Sequence, residues 1–213
     1  MSLVDKRQWE RLERWRATAF LLGGAVFAVD VALVASHVAS GTEPTAFGQA
    51  LVGTAWTASF VGLLGMYPSL SDRSRWPARI GAICAVIGGL TMAVMALVSL
   101  GYATGILSGE LSEVAMFFLP GVAIGTVLGF GSFGVASLRT DIYSRSVGGL
   151  FLLLVLTFLF NIGSSIAGVA TMSTVLGVVV VLALSKLTLG YLFRTEDALA
   201  DREGTGASSD SVA

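Results

Sequence analysis

The chain has 213 residues, of which 54% are hydrophobic and only 13% are charged, and its formal net charge is -1. This composition is far from that of an average soluble domain. We therefore expect the lipid bilayer, and no nucleic acid, as a partner.

Six apolar stretches are each long enough to cross a membrane as a helix, because a hydrocarbon core of about 30 Å requires about 20 helical residues. The sequence therefore predicts an all-α fold, a polytopic integral membrane bundle of six transmembrane helices, located in the cell membrane. A segment at residues 1–16 precedes the bundle at 17–194, and a tail at 195–213 follows it. The predicted spans are residues 17–37, 47–68, 79–104, 113–137, 147–168 and 172–194.

The basic residues outside these stretches all fall on one side of the predicted membrane. The loops on the other side, 38–46, 105–112 and 169–171, contain no lysine or arginine and carry Glu43 and Glu110. The positive-inside rule therefore predicts that both termini are cytoplasmic. The cytoplasmic basic residues are Lys6, Arg7, Arg11, Arg14, Arg16, Arg73, Arg75, Arg79, Arg139, Arg145, Arg194 and Arg202.

The two terminal segments differ in character. Trp9, Leu12 and Trp15 recur at three-residue spacing among charged residues, which predicts an interfacial amphipathic helix under the bilayer over residues 1–16. Docking of a partner or of anionic lipid is the alternative. The tail at 195–213 is acidic and contains Gly and Ser, which predicts disorder. Together with the excess of arginine over lysine, this tail suggests a prokaryotic, halophilic source.

Two charged residues lie inside the predicted spans away from the span ends. Asp30 is near the middle of span one, where a charge costs about 3 kcal/mol. Lys186 is on span six, and because the two helices run in opposite directions their side chains tilt toward each other. We predict an Asp30–Lys186 ion pair that ties the first helix to the last. Snorkelling of Lys186, or a proton-handling role for Asp30 with His37 on the same stripe, are the alternatives.

Spans two and five carry further polar residues, each set on one helical face. Hydrogen bonds between transmembrane helices, which average about 0.6 kcal/mol, are the default interpretation, and the lining of a polar cavity is the alternative. The residues are Gln49 and Thr57 on span two, and Thr157, Asn161, Ser164 and Ser165 on span five.

Span four contains Pro120 followed by Gly121, Gly125 and Gly129. Small residues at four-residue spacing allow another helix to approach closely, within the bundle or across a dimer interface. The proline removes a backbone hydrogen bond and favours a kink. We predict close helix packing here, with a gating hinge as the alternative.

The residue inventory limits the chemistry. One histidine and one cysteine cannot supply bis-histidine haem ligation, a zinc triad or a dithiol, and no Walker A loop or HExxH motif is present. We expect no cofactor and no enzymatic activity.

Two function classes remain. A noncatalytic membrane subunit or scaffold, with a second copy or another membrane protein as partner, is favoured because the intramembrane polar residues are few and can bond to one another. The alternative is a small-solute or ion permease, or a channel-like protein, that uses a polar bundle interior around Asp30. A cavity that reaches Asp30 favours the permease, whereas a dry core with Asp30 beside Lys186 favours the subunit.

Overall fold

The computed structural model describes the backbone of residues 3–42, 45–109, 111–140 and 142–209, and the side chains of residues 12–42, 45–109, 114, 116–140 and 142–199. Within these ranges the chain is almost entirely helical and contains no strand. The elements are α1 (Leu3–Ser40), α2 (Ala46–Gly65), α3 (Tyr67–Ser71), α4 (Arg75–Ala103), α5 (Leu111–Ala123), a π-helical segment (Ile124–Phe130), α6 (Gly131–Arg139), α7 (Arg145–Ile166) and α8 (Met172–Ser209).

Six of the helical runs are long and apolar enough to cross a membrane. This confirms the predicted all-α, six-span, multi-pass fold. The assignment of one side to the cytoplasm remains a prediction from the arginine distribution. The runs, which we number as spans one to six, are Leu12–Ser40, Ala46–Gly65, Arg75–Ala103, Met116–Arg139, Arg145–Ile166 and Met172–Leu199.

The bundle has two ends, which we name by their composition. The basic end carries the connections at 66–74 and 140–144, together with Arg16 and Arg194, and the distal end carries the connections at 41–45, 104–110 and 167–171. At the distal end Gly41 has a φ of 68°, a left-handed conformation that ends α1 and favours glycine. The Thr45 side chain then caps α2 by accepting a hydrogen bond from the Gly48 N–H at 3.3 Å.

The six spans form a closed ring in sequence order. Span one packs against spans two and six, span three lies between spans two and four, and span five lies between spans four and six. Aromatic side chains from these spans fill the centre of the ring in its basic half and middle: Phe20, Phe27, Trp56, Phe60, Phe130, Phe133, Phe151, Phe158 and Phe193. A ring of six helices is wide enough to leave room inside where large side chains do not meet.

Span four departs from regular α-helix geometry. Helix α5 continues through Pro120, and the π-helical segment follows before α6 begins. Gly125 lies within the π-helical segment and against α4, where an added Cβ would be 3.0 Å from the backbone nitrogen of Gly88 and 2.9 Å from Phe60 Cζ. Gly121 and Gly129 also face α4, so the predicted glycine ridge lies at a close helix crossing inside the ring. The hinge remains a prediction.

The helices at both ends of the chain extend beyond the spans. Helix α1 runs unbroken from Leu3 into span one, and helix α8 continues to Ser209. At the basic end, Asp197 pairs with Arg16, and Glu196 accepts a hydrogen bond from the Ser144 N–H at 3.4 Å. The interfacial position of residues 1–16 and the disorder of the tail at 195–213 stay predictions.

Several sequence predictions concern residues whose structure is not described. The side chains of the amphipathic segment up to residue 11, the acidic loop residues Glu43 and Glu110, and the end of the tail at 210–213 lie outside the described residues.

Candidate functional site: a cavity enclosed by the six spans

A cavity of about 470 Å³ occupies the distal half of the ring. All six spans contribute to its wall, and Thr45, which is exposed, and His37, which is half-buried, lie on its rim. The cavity therefore opens toward the distal end. Its volume is in the range of pockets that hold small organic ligands.

Most of the wall is apolar, with a few polar groups. Aliphatic side chains and three methionines, Met92, Met95 and Met116, form much of the surface. The polar groups that line it are Asp30, His37, Thr45, Gln49 and Asn161. A few polar groups set in an apolar wall is the usual composition of a small-molecule site.

Aromatic rings close the cavity toward the basic end. Trp56 contacts Phe27 and Phe158 in edge-to-face geometry, with ring centroids 6.0 and 6.1 Å apart. On its other side it contacts Phe130, with centroids 5.7 Å apart. Trp56 on span two thus contacts rings from spans one, four and five, of which Phe27 and Phe158 line the cavity with it. We call Phe27, Trp56 and Phe158 the aromatic floor.

Asp30 lies one helical turn from Phe27 on the cavity side of the floor. It lines the cavity although it is only 3% exposed, and no hydrogen bond or ion pair among the described residues reaches its carboxyl group. Gly48 faces it, since an added Cβ there would be 3.5 Å from Asp30 Oδ1. A buried carboxylate without a donor is costly, so this position favours binding of a proton or of a cationic group.

The structure does not bring Asp30 and Lys186 together as the predicted ion pair. Lys186 is fully buried, and its Nζ has no hydrogen-bond partner within the described part of the chain. Nζ instead lies 3.6 Å from the ring centroid of Trp56 and 4.2 Å from that of Phe27, which is cation-π geometry. Both rings line the cavity whereas Lys186 does not, so the aromatic floor intervenes. Snorkelling is also not observed, because the side chain stays in the core.

Some residues of the predicted polar faces of spans two and five line the cavity, and others bond to the backbone of their own helix. Gln49 and Asn161 line the cavity. Thr57 donates to the backbone carbonyl of Gly53 on its own helix at 2.8 Å. Ser164 and Ser165 likewise donate to the carbonyl oxygen of Asn161, both at 2.9 Å, and Thr157 lies in a shallow groove beside span six.

A polar cluster that sequence reasoning did not identify closes the basic end. Arg16 is buried and pairs with Asp197 and with Glu13, the latter at 3.5 Å, while its Nη1 donates to Tyr143 Oη at 2.7 Å. The Ser69 hydroxyl donates to Glu13. We call Glu13, Arg16, Ser69, Tyr143 and Asp197 the Arg16 cluster. It joins spans one and six to both connections at this end.

Electrostatics explain why the Arg16 cluster holds together. Burial raises the pKa of Tyr143 above its ordinary value of 10.0, so the phenol stays neutral and accepts the hydrogen bond from the guanidinium. Charge-assisted bonds of this kind are about twice as strong as neutral ones. The guanidinium also lies 5.3 Å from the Phe193 ring centroid, which adds a cation-π contact.

The fold and the cavity define the class as a multi-pass α-helical membrane protein with a pocket inside the bundle. Among the side chains that are described, no group of three or more His, Cys, Asp or Glu could hold a metal ion. Comparison of the chain with known protein families, with curated proteins and with solved structures finds no match.

Proposed function

We propose that this protein is a small-solute permease, with its binding site in the cavity at Asp30. The observation that carries the proposal is the cavity of about 470 Å³ that reaches this buried carboxyl group from the distal end. Transporters bind their substrates near the middle of the bilayer, between helices, and expose the site to the two sides in turn. Asp30 has the same depth on span one.

The two barriers below the cavity fit this proposal. The aromatic floor separates the cavity from the basic half, and the Arg16 cluster closes the basic end itself. A permease that is open only to the distal side would have its binding cavity above such barriers. Access from the basic side then requires the floor and the cluster to open.

The geometry supports a permease over the noncatalytic subunit that the sequence favours. The subunit interpretation rests on a dry core in which Asp30 and Lys186 bond to each other. The carboxyl group of Asp30 faces a cavity instead, and Nζ of Lys186 faces two aromatic rings.

Cysteine labelling tests the proposal. In a Cys84→Ala background, Val34→Cys introduces a thiol on the cavity wall, and we expect a membrane-impermeant methanethiosulfonate reagent to label it from the distal side. Because a permease exposes its site to both sides, labelling is also expected, more slowly, from the basic side. Right-side-out and inside-out membrane vesicles separate the two directions.

Two matched variants calibrate this experiment. Ala55→Cys places the thiol in the core away from the cavity, since Ala55 is fully buried and does not line it, and we expect no labelling there. Ser40→Cys places an exposed thiol at the distal end and reports sidedness. Labelling of Val34→Cys from neither side, or from the distal side alone, would contradict a permease.

A further inference from the structure

The chemistry of the cavity wall indicates what kind of solute it takes. Resting on the proposed function, we propose that the ligand is a small organic cation, with an ammonium group that pairs with Asp30 and an apolar body that fills the space above the aromatic floor.

The charge of the wall favours a cation. Among the described lining residues, Asp30 is the only acid, and no lysine or arginine is present. His37 sits at the rim, where its Nδ1 is 2.8 Å from Thr42 Oγ1, so its ring is held by the distal connection. Lys186 contacts the floor from outside the cavity. Below the rim, the ionisable group that a solute meets among the described lining residues is therefore an acid.

The unmet hydrogen-bonding capacity of Asp30 points to a donor on the ligand. Its carboxyl group is buried, borders the cavity and receives no hydrogen bond among the residues described. An ammonium group offers up to three donors and a full compensating charge. The side-chain amides of Gln49 and Asn161, which line the same cavity, supply carbonyl oxygens that can accept further N–H groups.

The remainder of the wall sets the shape of the rest of the ligand. The aromatic floor, the methionines and the valine and leucine side chains of span six leave no partner for additional polar groups. An apolar body gains free energy by leaving water for this surface, and flexible methionine side chains tolerate variation in its shape. The site thus favours an amine that carries one or two rings or an equivalent aliphatic group.

Three probes of similar size and different charge test the inference: naphthylmethylammonium, naphthylmethanol and naphthoate. Each is added to the Val34→Cys protein in nanodiscs, and the rate of alkylation by the uncharged reagent N-ethylmaleimide is measured. We expect naphthylmethylammonium to protect the thiol at the lowest concentration. Asp30→Asn should raise its half-protecting concentration by about tenfold to a hundredfold, because a hydrogen bond to a charged group is lost.

Three comparisons make the result specific. Asp30→Glu retains the charge and should keep most of the protection, which distinguishes loss of binding from misfolding. Asp72→Asn removes an exposed acid at the basic end and should change nothing. Naphthylmethanol should protect the thiol at residue 34 equally well in the protein that keeps Asp30 and in the Asp30→Asn variant.

The outcomes separate this inference from the function on which it rests. Better protection by naphthylmethanol or naphthoate, or equal protection by the ammonium probe with and without the Asp30 carboxylate, would overturn the cationic ligand while leaving a binding cavity. A thiol at residue 34 that does not react even without a probe would instead overturn the proposed function.

Discussion

The basic half and the distal half of this bundle are packed in different ways. In the basic half, an added Cβ at Gly24 would be 2.8 Å from the Leu187 backbone nitrogen, and one at Gly190 would be 2.8 Å from that of Leu21. In the distal half, the inside of the ring is a cavity of about 470 Å³, although spans two and three still meet closely at Gly53, where an added Cβ would be 3.0 Å from the Ala96 backbone nitrogen. Close crossings at glycine thus occur in both halves, and the difference lies inside the ring, which aromatic side chains fill in the basic half and a cavity occupies in the distal half.

The charged groups of the two halves differ in their pairing. The Arg16 cluster pairs its charges across several elements, whereas the Asp30 carboxyl group faces the cavity with no hydrogen bond or ion pair among the described residues and has His37 at the rim as its electrostatic neighbour. The comparison indicates that the basic half supplies rigidity and that the distal half leaves interactions for a ligand. Segments that move or bind ligands are generally drawn from the less stable parts of a fold.

The largest expected effect comes from filling a close contact in the basic half. Gly190→Ala places a methyl group against the backbone of α1, which cannot move aside without shifting span one, and we expect a loss of about 3 kcal/mol of unfolding free energy. Denaturant titration in detergent micelles, followed by circular dichroism, measures it. Gly177→Ala makes the same change on the same helix in open space and should be neutral or slightly stabilising. Equal losses for both variants would contradict the close contact between spans one and six at Gly190.

An intermediate effect is expected from the Arg16 cluster. Arg16→Ala leaves Asp197 and Tyr143 without their partner, but Asp197 is partly exposed, so water compensates in part. We expect a loss of about 2 kcal/mol, below that for a fully buried pair. The same variant should also speed labelling of Val34→Cys from the basic side, because the closure there is weakened.

Matched variants isolate the contribution of the Arg16 contacts. Arg14→Ala removes an exposed arginine two residues away and should change stability by less than about 0.5 kcal/mol. Arg16→Lys should recover only part of the loss, since a lysine cannot bond to several partners in the planar geometry of a guanidinium. If Arg16→Ala is as stable as Arg14→Ala, the cluster does not hold the basic end together.

The spans were predictable because their signal is local. Length and apolar composition are read within each stretch, and all six stretches correspond to spans in the structure. The burial of Arg16 could not be predicted in this way, because its partners Tyr143 and Asp197 are 127 and 181 residues away. A basic residue near a membrane boundary is ordinarily solvated, and nothing in the neighbouring sequence distinguishes Arg16 from Arg14.

The candidate site was predictable only in part. An aspartate in the middle of a span identifies a polar interior, and Asp30, Gln49 and Asn161 do line the cavity. The depth of Asp30 and Lys186 in the membrane and the tilt of their side chains, however, do not determine how each helix is rotated about its axis. They also do not determine whether an aromatic ring lies between the two side chains. The aromatic floor formed by residues on spans one, two and five therefore could not be foreseen, and it separates Lys186 from the cavity.

The smallest expected effect is the coupling between Asp30 and Lys186. Because no ion pair joins them, the stability changes of Asp30→Asn and Lys186→Met should add within about 0.5 kcal/mol in the double variant. Methionine has a similar length, and removing a buried amine without an acceptor offsets the lost cation-π contacts. Lys186→Ala, which also removes volume, should be less stable than Lys186→Met.

This double-mutant cycle decides whether the negative charge in the distal half is available to a ligand. Unfolding free energies of the four proteins, measured in detergent at one pH, give the coupling directly. A coupling above about 1.5 kcal/mol would mean that the two side chains interact strongly in the folded protein. Asp30 would then already have its counter-charge, and the contrast between the paired charges of the Arg16 cluster and the unpaired carboxyl group of Asp30 would fail.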